Sequence, residues 1–188
     1  MTLKGSIVTN EIHDRLREIE MEKRITFSNT QKVLLSIEGS ITAILDVLYD
    51  TVGIFVLQKY FENADEEKAK LLNVNEGDEI HYREVIIHGR GKPMIYALSF
   101  IALSRCKKEA HDDVISGEIP VGKMLKKYEI ESRREIRDIY VEKPNATLKE
   151  LFKTDEDFIS REYVVIENKE IVMFTKESFP ISYFSNDM

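Results

Sequence analysis

Apolar and polar residues along the chain form a pattern that occurs twice. The segments REVIIHGRGKPMIYALSFIA, from Arg83, and REYVVIENKEIVMFTKESFP, from Arg161, each contain two apolar stretches around a short polar turn, and they begin 78 positions apart. Two apolar runs around a Gly- or Asn-containing turn predict a β-hairpin. Two similar hairpins in one small chain predict a single pseudo-symmetric sheet, and such sheets often hold a ligand between their halves.

Helical periodicity marks much of the remaining chain. Apolar residues spaced three or four positions apart predict amphipathic helices over residues 9–22 and from Ile41, the second one capped by Ser40. The other predicted elements are strands over 52–60 and 132–142, helices beginning at Asp65, Pro120 and Thr147, and partial helix across 104–118. The pattern predicts an α+β fold with about six strands in a mainly antiparallel sheet and flanking short helices.

Composition limits the classes of protein and partner. The 188 residues are 43% hydrophobic and 32% charged, so we expect one globular domain over residues 1–188, with residues 1–35 as an N-terminal helical extension. The formal net charge of −7 disfavours nucleic acid and anionic membranes as partners. No signal-peptide or membrane-span pattern is present, and the single cysteine, Cys106, fits a reducing compartment. We expect a cytoplasmic protein of undetermined oligomeric state.

Arg83 is the first candidate for chemistry. Side chains alternate along a strand, so Arg83 shares a face with Val85 and Ile87. An arginine on an apolar face needs an anionic partner, because an unpaired buried charge costs several kcal/mol, and its planar fork matches a carboxylate. The residues leave three interpretations open: a carboxylate ligand, a structural ion pair with a buried glutamate, or an edge position in solvent.

Glu177 is the corresponding candidate in the second hairpin. It shares a strand face with Met173, Thr175 and Phe179, which is otherwise mainly apolar. A carboxylate in such surroundings suits a group that accepts or donates a proton. The alternative is an ion pair with Arg83 or another arginine, without chemistry. Because the two residues occupy related strands, both side chains can face one cavity.

A helix start after Pro120 is the third candidate feature. The first backbone N–H groups of a helix lack internal partners and bind oxygen ligands, so Val121 and Gly122 are candidates, and glycine permits close approach. Proline is common at helix starts, so this pattern alone is weak. No Cys, His and carboxylate cluster in the sequence has metal-ligand spacing, and no metal site is predicted.

These motifs together resemble chorismate pyruvate-lyases, most closely the archaeal-type branch. YREVIIHGRGKPMIYALSFI is similar to the central hairpin of that family, IPVGKML to its Thr-Pro-Leu-Gly helix start, and TKESFP to its C-terminal strand, which ends in a catalytic Glu shortly before Pro. The similarity extends from about Ser36 to Pro180. Bacterial members carry that Glu four residues before the proline, whereas Glu177 lies three before it, so an alignment at Pro180 selects Lys176 instead.

The resemblance implies a chorismate lyase-like fold that eliminates pyruvate from chorismate, gives 4-hydroxybenzoate and uses no metal or organic cofactor. It implies that Arg83 grips the ring carboxylate with help from a backbone N–H near Ile41. It also implies that Glu177 and the N–H of Val121, beside Gly122, bind the oxygen that becomes the phenol. The expected partner is thus a small cyclic carboxylate.

Two further points follow from the resemblance. A second cation should meet the enolpyruvyl carboxylate, and Arg161, Arg133 and Arg134 are candidates that the sequence does not rank. The ligand-binding (UTRA) domains of some bacterial transcription regulators share this fold, so a non-catalytic effector-binding module is the alternative function. Those regulators normally carry an N-terminal DNA-binding domain. Here residues 1–50 hold six Lys and Arg against eight Asp and Glu, which disfavours a DNA-binding face.

Overall fold

The structure, a computed structural model, describes residues 9–185. Within that range, helices and strands alternate in two similar halves around one six-stranded antiparallel sheet, which confirms the predicted fold class. The helices are α1 (Thr9–Lys23), α2 (Asn29–Ser36), α3 (Ile41–Tyr49), α4 (Glu66–Leu72), α5 (His111–Ser116), α6 (Val121–Lys127) and α7 (Ala146–Phe152). The strands are β1 (Val52–Asn63), β2 (Glu79–Gly89), β3 (Lys92–Ile101), β4 (Arg133–Glu142), β5 (Phe158–Glu167) and β6 (Glu170–Pro180).

The sheet has the pseudo-symmetry that the sequence repeat predicts. Its strand order is β1-β2-β3-β6-β5-β4, so the repeated hairpins β2–β3 and β5–β6 meet at the central β3–β6 pair. In the register of that pair, Ser99 lies opposite Thr175 and Ala97 lies opposite Glu177. Ala97 and Ser99 lie 78 positions before Thr175 and Glu177, the same distance that separates the two hairpins. The two pairs are therefore equivalent positions of the repeat. The two halves are therefore related by a pseudo-two-fold axis that passes between these pairs.

Both hairpins close with the same kind of turn. The φ angles are 51° and 74° at Arg90 and Gly91, and 50° and 70° at Asn168 and Lys169. Two consecutive residues with positive φ are typical of the type I′ turn, whose twist matches that of antiparallel strands. Gly and Asn adopt this conformation at low cost, which explains why each turn contains one of them.

The two faces of the sheet are covered differently. On one face, α1, α2, α3 and α6 pack against the strands and form the main core, which includes Leu16, Leu35, Leu45, Met124 and Phe179. On the other face, α4 packs near Phe174 and α7 packs near Phe158. Between those two contacts lie polar side chains, among them Lys176 and Glu142 with Nζ and Oε2 2.7 Å apart. The candidate site lies on the face that carries α3 and α6.

Helix α2 is an element that the hydrophobic pattern did not predict. Its start is a capping box: the Ser28 hydroxyl accepts from the Gln31 amide at 3.0 Å, and the Gln31 side chain accepts from the Ser28 amide at 2.9 Å. The expected extension, residues 1–35, contributes α1 and most of α2 to the main core. Its residues 1–8 lie outside the described range.

Within residues 9–185, none of the helices is long and apolar enough to cross a bilayer. The same range contains no group of three or more His, Cys, Asp or Glu side chains that could hold a metal ion.

Candidate functional site

A small cavity of about 30 Å³ lies between the sheet and the starts of α3 and α6. A cavity needs about 10–15 Å³ to hold one water molecule, so the protein's own side chains nearly fill the space. Five of the six candidate site residues line the cavity, namely Arg83, Glu177, Ile41, Val121 and Gly122. Both hairpins and both helix starts therefore meet at one place.

Arg83 is a buried cation that the described chain does not neutralise. It is 5% exposed, its Nη2 donates to the carbonyl oxygens of Gly117 and Ile119, and its Nε is buried without a hydrogen-bond partner. Among residues 9–185, no carboxylate oxygen lies within the 4.0 Å of an ion pair. Burial lowers the pKa of Arg83 to about 10, which leaves it charged at neutral pH. Neither structural alternative, an internal glutamate or an exposed edge, describes this residue.

Arg161 is as deeply buried as Arg83 but is fully engaged. Its Nε donates to Oε2 of Glu177 at 2.8 Å, and its Nη2 forms an ion pair with the same oxygen at 2.7 Å. Its Nη1 donates to the carbonyls of Leu34 and Ile37 at 2.6 and 2.9 Å. The sequence makes Arg161 a candidate for substrate binding. The structure instead places it outside the cavity lining, with each guanidinium nitrogen already in contact with an acceptor of the protein.

Glu177 faces the cavity, and the neighbouring Lys176 does not. The Glu177 carboxylate is 5% exposed and accepts a second contact, from the Tyr163 hydroxyl to Oε1 at 3.1 Å. Lys176 points to the opposite face of the sheet, where its ammonium pairs with Glu142. An alignment at the proline selects Lys176, but the alternation of β6 directs Glu177 into the site. The ion pair that the sequence left open is formed with Arg161.

Arg134 is the second cation that borders the cavity. Its Nη1 donates to the Glu38 carbonyl at 3.4 Å, its Nε is buried without a partner, and its guanidinium lies 5.7 Å from the ring centre of Tyr163. Arg133, by contrast, is exposed and pairs with Glu135. Of the three arginines that the sequence does not rank, Arg134 is the one among the described cavity-lining residues.

The starts of α3 and α6 approach each other closely at the cavity. The Ser40 hydroxyl caps α3 by accepting from the Ala43 amide at 3.4 Å, as the sequence predicts. A Cβ atom on Gly122 would lie 2.1 Å from that hydroxyl oxygen, so the contact requires glycine. The first backbone N–H groups of both helices, near Ile41 and Val121, lack intrahelical acceptors. Two sets of amide donors therefore border one cavity.

Sequence reasoning missed two further cavity residues. Tyr163 lies two positions after Arg161 and so shares its strand face, a signal that alternation alone provides. Ser99 lies opposite Arg83 in the β2–β3 register, and its hydroxyl is 3.1 Å from that of Thr175. The position of Ser99 is not apparent without the strand register.

Solved structures that resemble this chain include effector domains of bacterial regulators. The effector domain of PhnF from Mycobacterium smegmatis matches with a TM-score of 0.63 at 15% identity, over 76% of this chain and 88% of that one. A GntR-family transcriptional regulator from Bacillus cereus matches with a TM-score of 0.59 at 13% identity, over 73% of this chain and 96% of that one. At these identities, the similarity shows the fold alone.

Sequence relatives show the family. A Methanocaldococcus jannaschii protein named "Putative lyase MJ0807" is 29% identical over 168 residues, which cover 86% of this chain and 84% of that protein. The family model described as "Chorismate pyruvate-lyase Rv2949c-like" matches residues 35–186. This chain therefore belongs to the Rv2949c-like chorismate pyruvate-lyase family.

Proposed function

We propose that this protein eliminates pyruvate from chorismate and releases 4-hydroxybenzoate. The observation that carries the proposal is Arg83, a buried guanidinium at the cavity without a carboxylate partner among residues 9–185. In the reaction, the C3–O bond of the ring breaks, C4 loses its proton, and the methylene carbon of the leaving enolpyruvyl group gains one. The two products together contain every atom of the substrate, and aromatisation supplies the driving force.

The charges at the cavity suit a dicarboxylate. Chorismate carries a ring carboxylate and an enolpyruvyl carboxylate, and the cavity is bordered by Arg83 on β2 and Arg134 on β4. We assign the ring carboxylate to Arg83, with the N–H near Ile41 as a second donor, and the enolpyruvyl carboxylate to Arg134. A carboxylate on Arg83 would offset the cost of burying that cation, because a buried charge is stabilised when it is paired and hydrogen-bonded.

Glu177 and the N–H of Val121 would hold the ring oxygen that becomes the phenol. Their contribution is to orient the ring relative to the leaving group, which converts binding energy into a lower barrier. Arg134 would stabilise negative charge as it develops on the departing enolpyruvate. With the roles assigned in this way, the proposed reaction uses no metal or organic cofactor.

Substrate entry requires movement. The cavity is about 30 Å³, whereas pockets for organic ligands are roughly 300–1,000 Å³. The starts of α3 and α6, which close the cavity opposite the sheet, are the elements whose displacement would open it. Such rearrangement on binding is common where a ligand becomes fully enclosed.

The test is to incubate the purified protein with chorismate without added metal and to follow 4-hydroxybenzoate and pyruvate together. We expect equimolar products, with turnover lost in folded Arg83→Ala and Glu177→Ala variants. Lys176→Ala is the matched control, since it alters the neighbouring residue on the opposite face, and it should retain turnover. Product at the uncatalysed background would contradict the proposal. A thermal-shift screen of small carboxylates and sugar phosphates would then test the effector-binding alternative.

A further inference from the structure

The two oxygens of the Glu177 carboxylate have different surroundings. Oε2 accepts a hydrogen bond from Nε of Arg161 at 2.8 Å and forms an ion pair with its Nη2 at 2.7 Å. Oε1 accepts one, from the Tyr163 hydroxyl at 3.1 Å. A carboxylate oxygen offers roughly two lone-pair directions. Both guanidinium contacts are therefore made by Oε2, while Oε1 keeps one lone-pair direction for a further donor.

Tyr163 is held firmly enough to fix the direction of its hydrogen bond. The side chain is buried, and two guanidinium groups lie near its ring centre, that of Arg134 at 5.7 Å and that of Arg161 at 5.2 Å. Burial, together with the charge of Glu177, raises the pKa of the Tyr163 hydroxyl, so it stays protonated and acts as a donor. The Tyr163 hydroxyl therefore occupies one lone pair of Oε1 of Glu177 throughout the neutral pH range.

Arg161 connects this carboxylate to the helical layer. Its Nη1 donates to the Leu34 carbonyl in the last turn of α2 and to the Ile37 carbonyl just beyond it. The negative end of a helix favours a cation, and the next few residues lead to the Ser40 cap of α3. The position of Glu177 is thus coupled to the backbone that borders the cavity.

We propose that Arg161 and Tyr163 are positioning residues, which leave Oε1 of Glu177 as the single atom that accepts the substrate hydroxyl. The proposal rests on the proposed lyase function and assigns an atom to the group that holds the ring oxygen. With one acceptor direction remaining, the ring hydroxyl has one favourable orientation. Loss of that orientation should slow the chemical step more than it weakens binding, because the substrate carboxylates are held elsewhere.

The test is the Tyr163→Phe variant, which keeps the ring near both guanidinium groups and removes only the hydrogen bond. We expect kcat to fall about 10-fold, the effect of one hydrogen bond to a charged group, with KM changed less than about two-fold. The matched control is Tyr140→Phe, which removes a tyrosine hydroxyl that donates to Glu162 on the opposite face. That variant should keep the wild-type kcat.

A double-variant cycle separates positioning from a structural role. In a Glu177→Gln background, Tyr163→Phe should cause a smaller loss of kcat, since the hydroxyl then donates to a neutral amide oxygen and no longer positions a carboxylate. A wild-type protein without turnover would contradict the lyase function, and this inference with it. Turnover in the wild type combined with unchanged kcat in Tyr163→Phe, or with an equal loss in both backgrounds, would overturn the positioning role alone.

Discussion

Arg83 and Arg161 hold equivalent places in the two halves of the sheet, yet only one of them has a carboxylate partner among the described residues. Both are buried, and both donate to backbone carbonyls of a segment that leads into a helix at the cavity. Across its hairpin, Arg161 faces Glu177, whereas Arg83 faces Ser99. One half therefore contains an internal ion pair, and the other contains a guanidinium without a carboxylate among the described residues.

Under the proposed function, this difference explains how one half of a repeated framework binds a ligand. The second half shows how a carboxylate satisfies a guanidinium at this position of the fold. The first half keeps the guanidinium and replaces the carboxylate with a short hydroxyl side chain, which leaves space beside it. A substrate carboxylate at Arg83 would complete the first half much as Glu177 completes the second.

The largest expected effect is on stability, when the ion pair of the second half is broken. Arg161→Met should lower the free energy of unfolding by about 3–5 kcal/mol, because it leaves the Glu177 carboxylate buried without its cation. Arg83→Met should lower the free energy of unfolding by less than about 2 kcal/mol, since it leaves two carbonyl oxygens, but no carboxylate, without their donor. Denaturant unfolding measures both values. Equal losses would contradict the comparison, and adding Glu177→Gln to Arg161→Met should restore part of the stability.

The next largest effect is expected on the binding of a ligand carboxylate at Arg83, in the first half of the sheet. Arg83→Met should weaken the binding of 4-hydroxybenzoate by about 100-fold, the effect of removing one partner of a buried charge pair. Isothermal titration calorimetry at neutral pH measures the dissociation constant. An affinity within about three-fold of the wild type would show that the carboxylate binds elsewhere.

The third prediction concerns a glutamate introduced into the first half, at the position that corresponds to Glu177. Ser99→Glu should pair with Arg83 inside the protein and weaken 4-hydroxybenzoate binding by at least about 10-fold, because the two carboxylates compete for one cation. Ser99→Gln is the matched control, similar in size and without the charge, and it should weaken binding less. Equal losses in the two variants would indicate that size rather than charge excludes the ligand.

The smallest effect is expected on the opposite face. Lys176→Met removes a partly exposed ion pair with Glu142, so the free energy of unfolding should change by less than about 1 kcal/mol and kcat should stay unchanged. Steady-state kinetics and thermal unfolding measure the two quantities. A loss of turnover as large as that of Glu177→Ala would favour the alignment that selects Lys176.

Alternation along the strands was sufficient to predict part of the site. It placed Arg83 and Glu177 on one inward face, but Arg134 and Arg133 stayed unranked until the structure showed that Arg134 lines the cavity and Arg133 is exposed. The helix starts at the cavity followed from Ser40, which the structure confirms as the cap of α3, and from Pro120, which lies directly before α6.

The partner of Glu177 could not be predicted in this way. Its pairing with Arg161 depends on the β5–β6 register, which is set by the two-residue turn and by an irregularity between Val165 and Ile166. A single added residue in a strand shifts every later pairing, and composition does not reveal it. Helix α2 was missed for another reason: its signal is the Ser28 cap with Gln31, not a hydrophobic stripe.

A crystal structure of the protein with 4-hydroxybenzoate tests the central claim most directly. We expect the ligand carboxylate within hydrogen-bonding distance of the Arg83 guanidinium, the phenol oxygen at Oε1 of Glu177, and the ion pair between Glu177 and Arg161 intact. A ligand carboxylate bound to Arg161, with Glu177 displaced, would contradict the account.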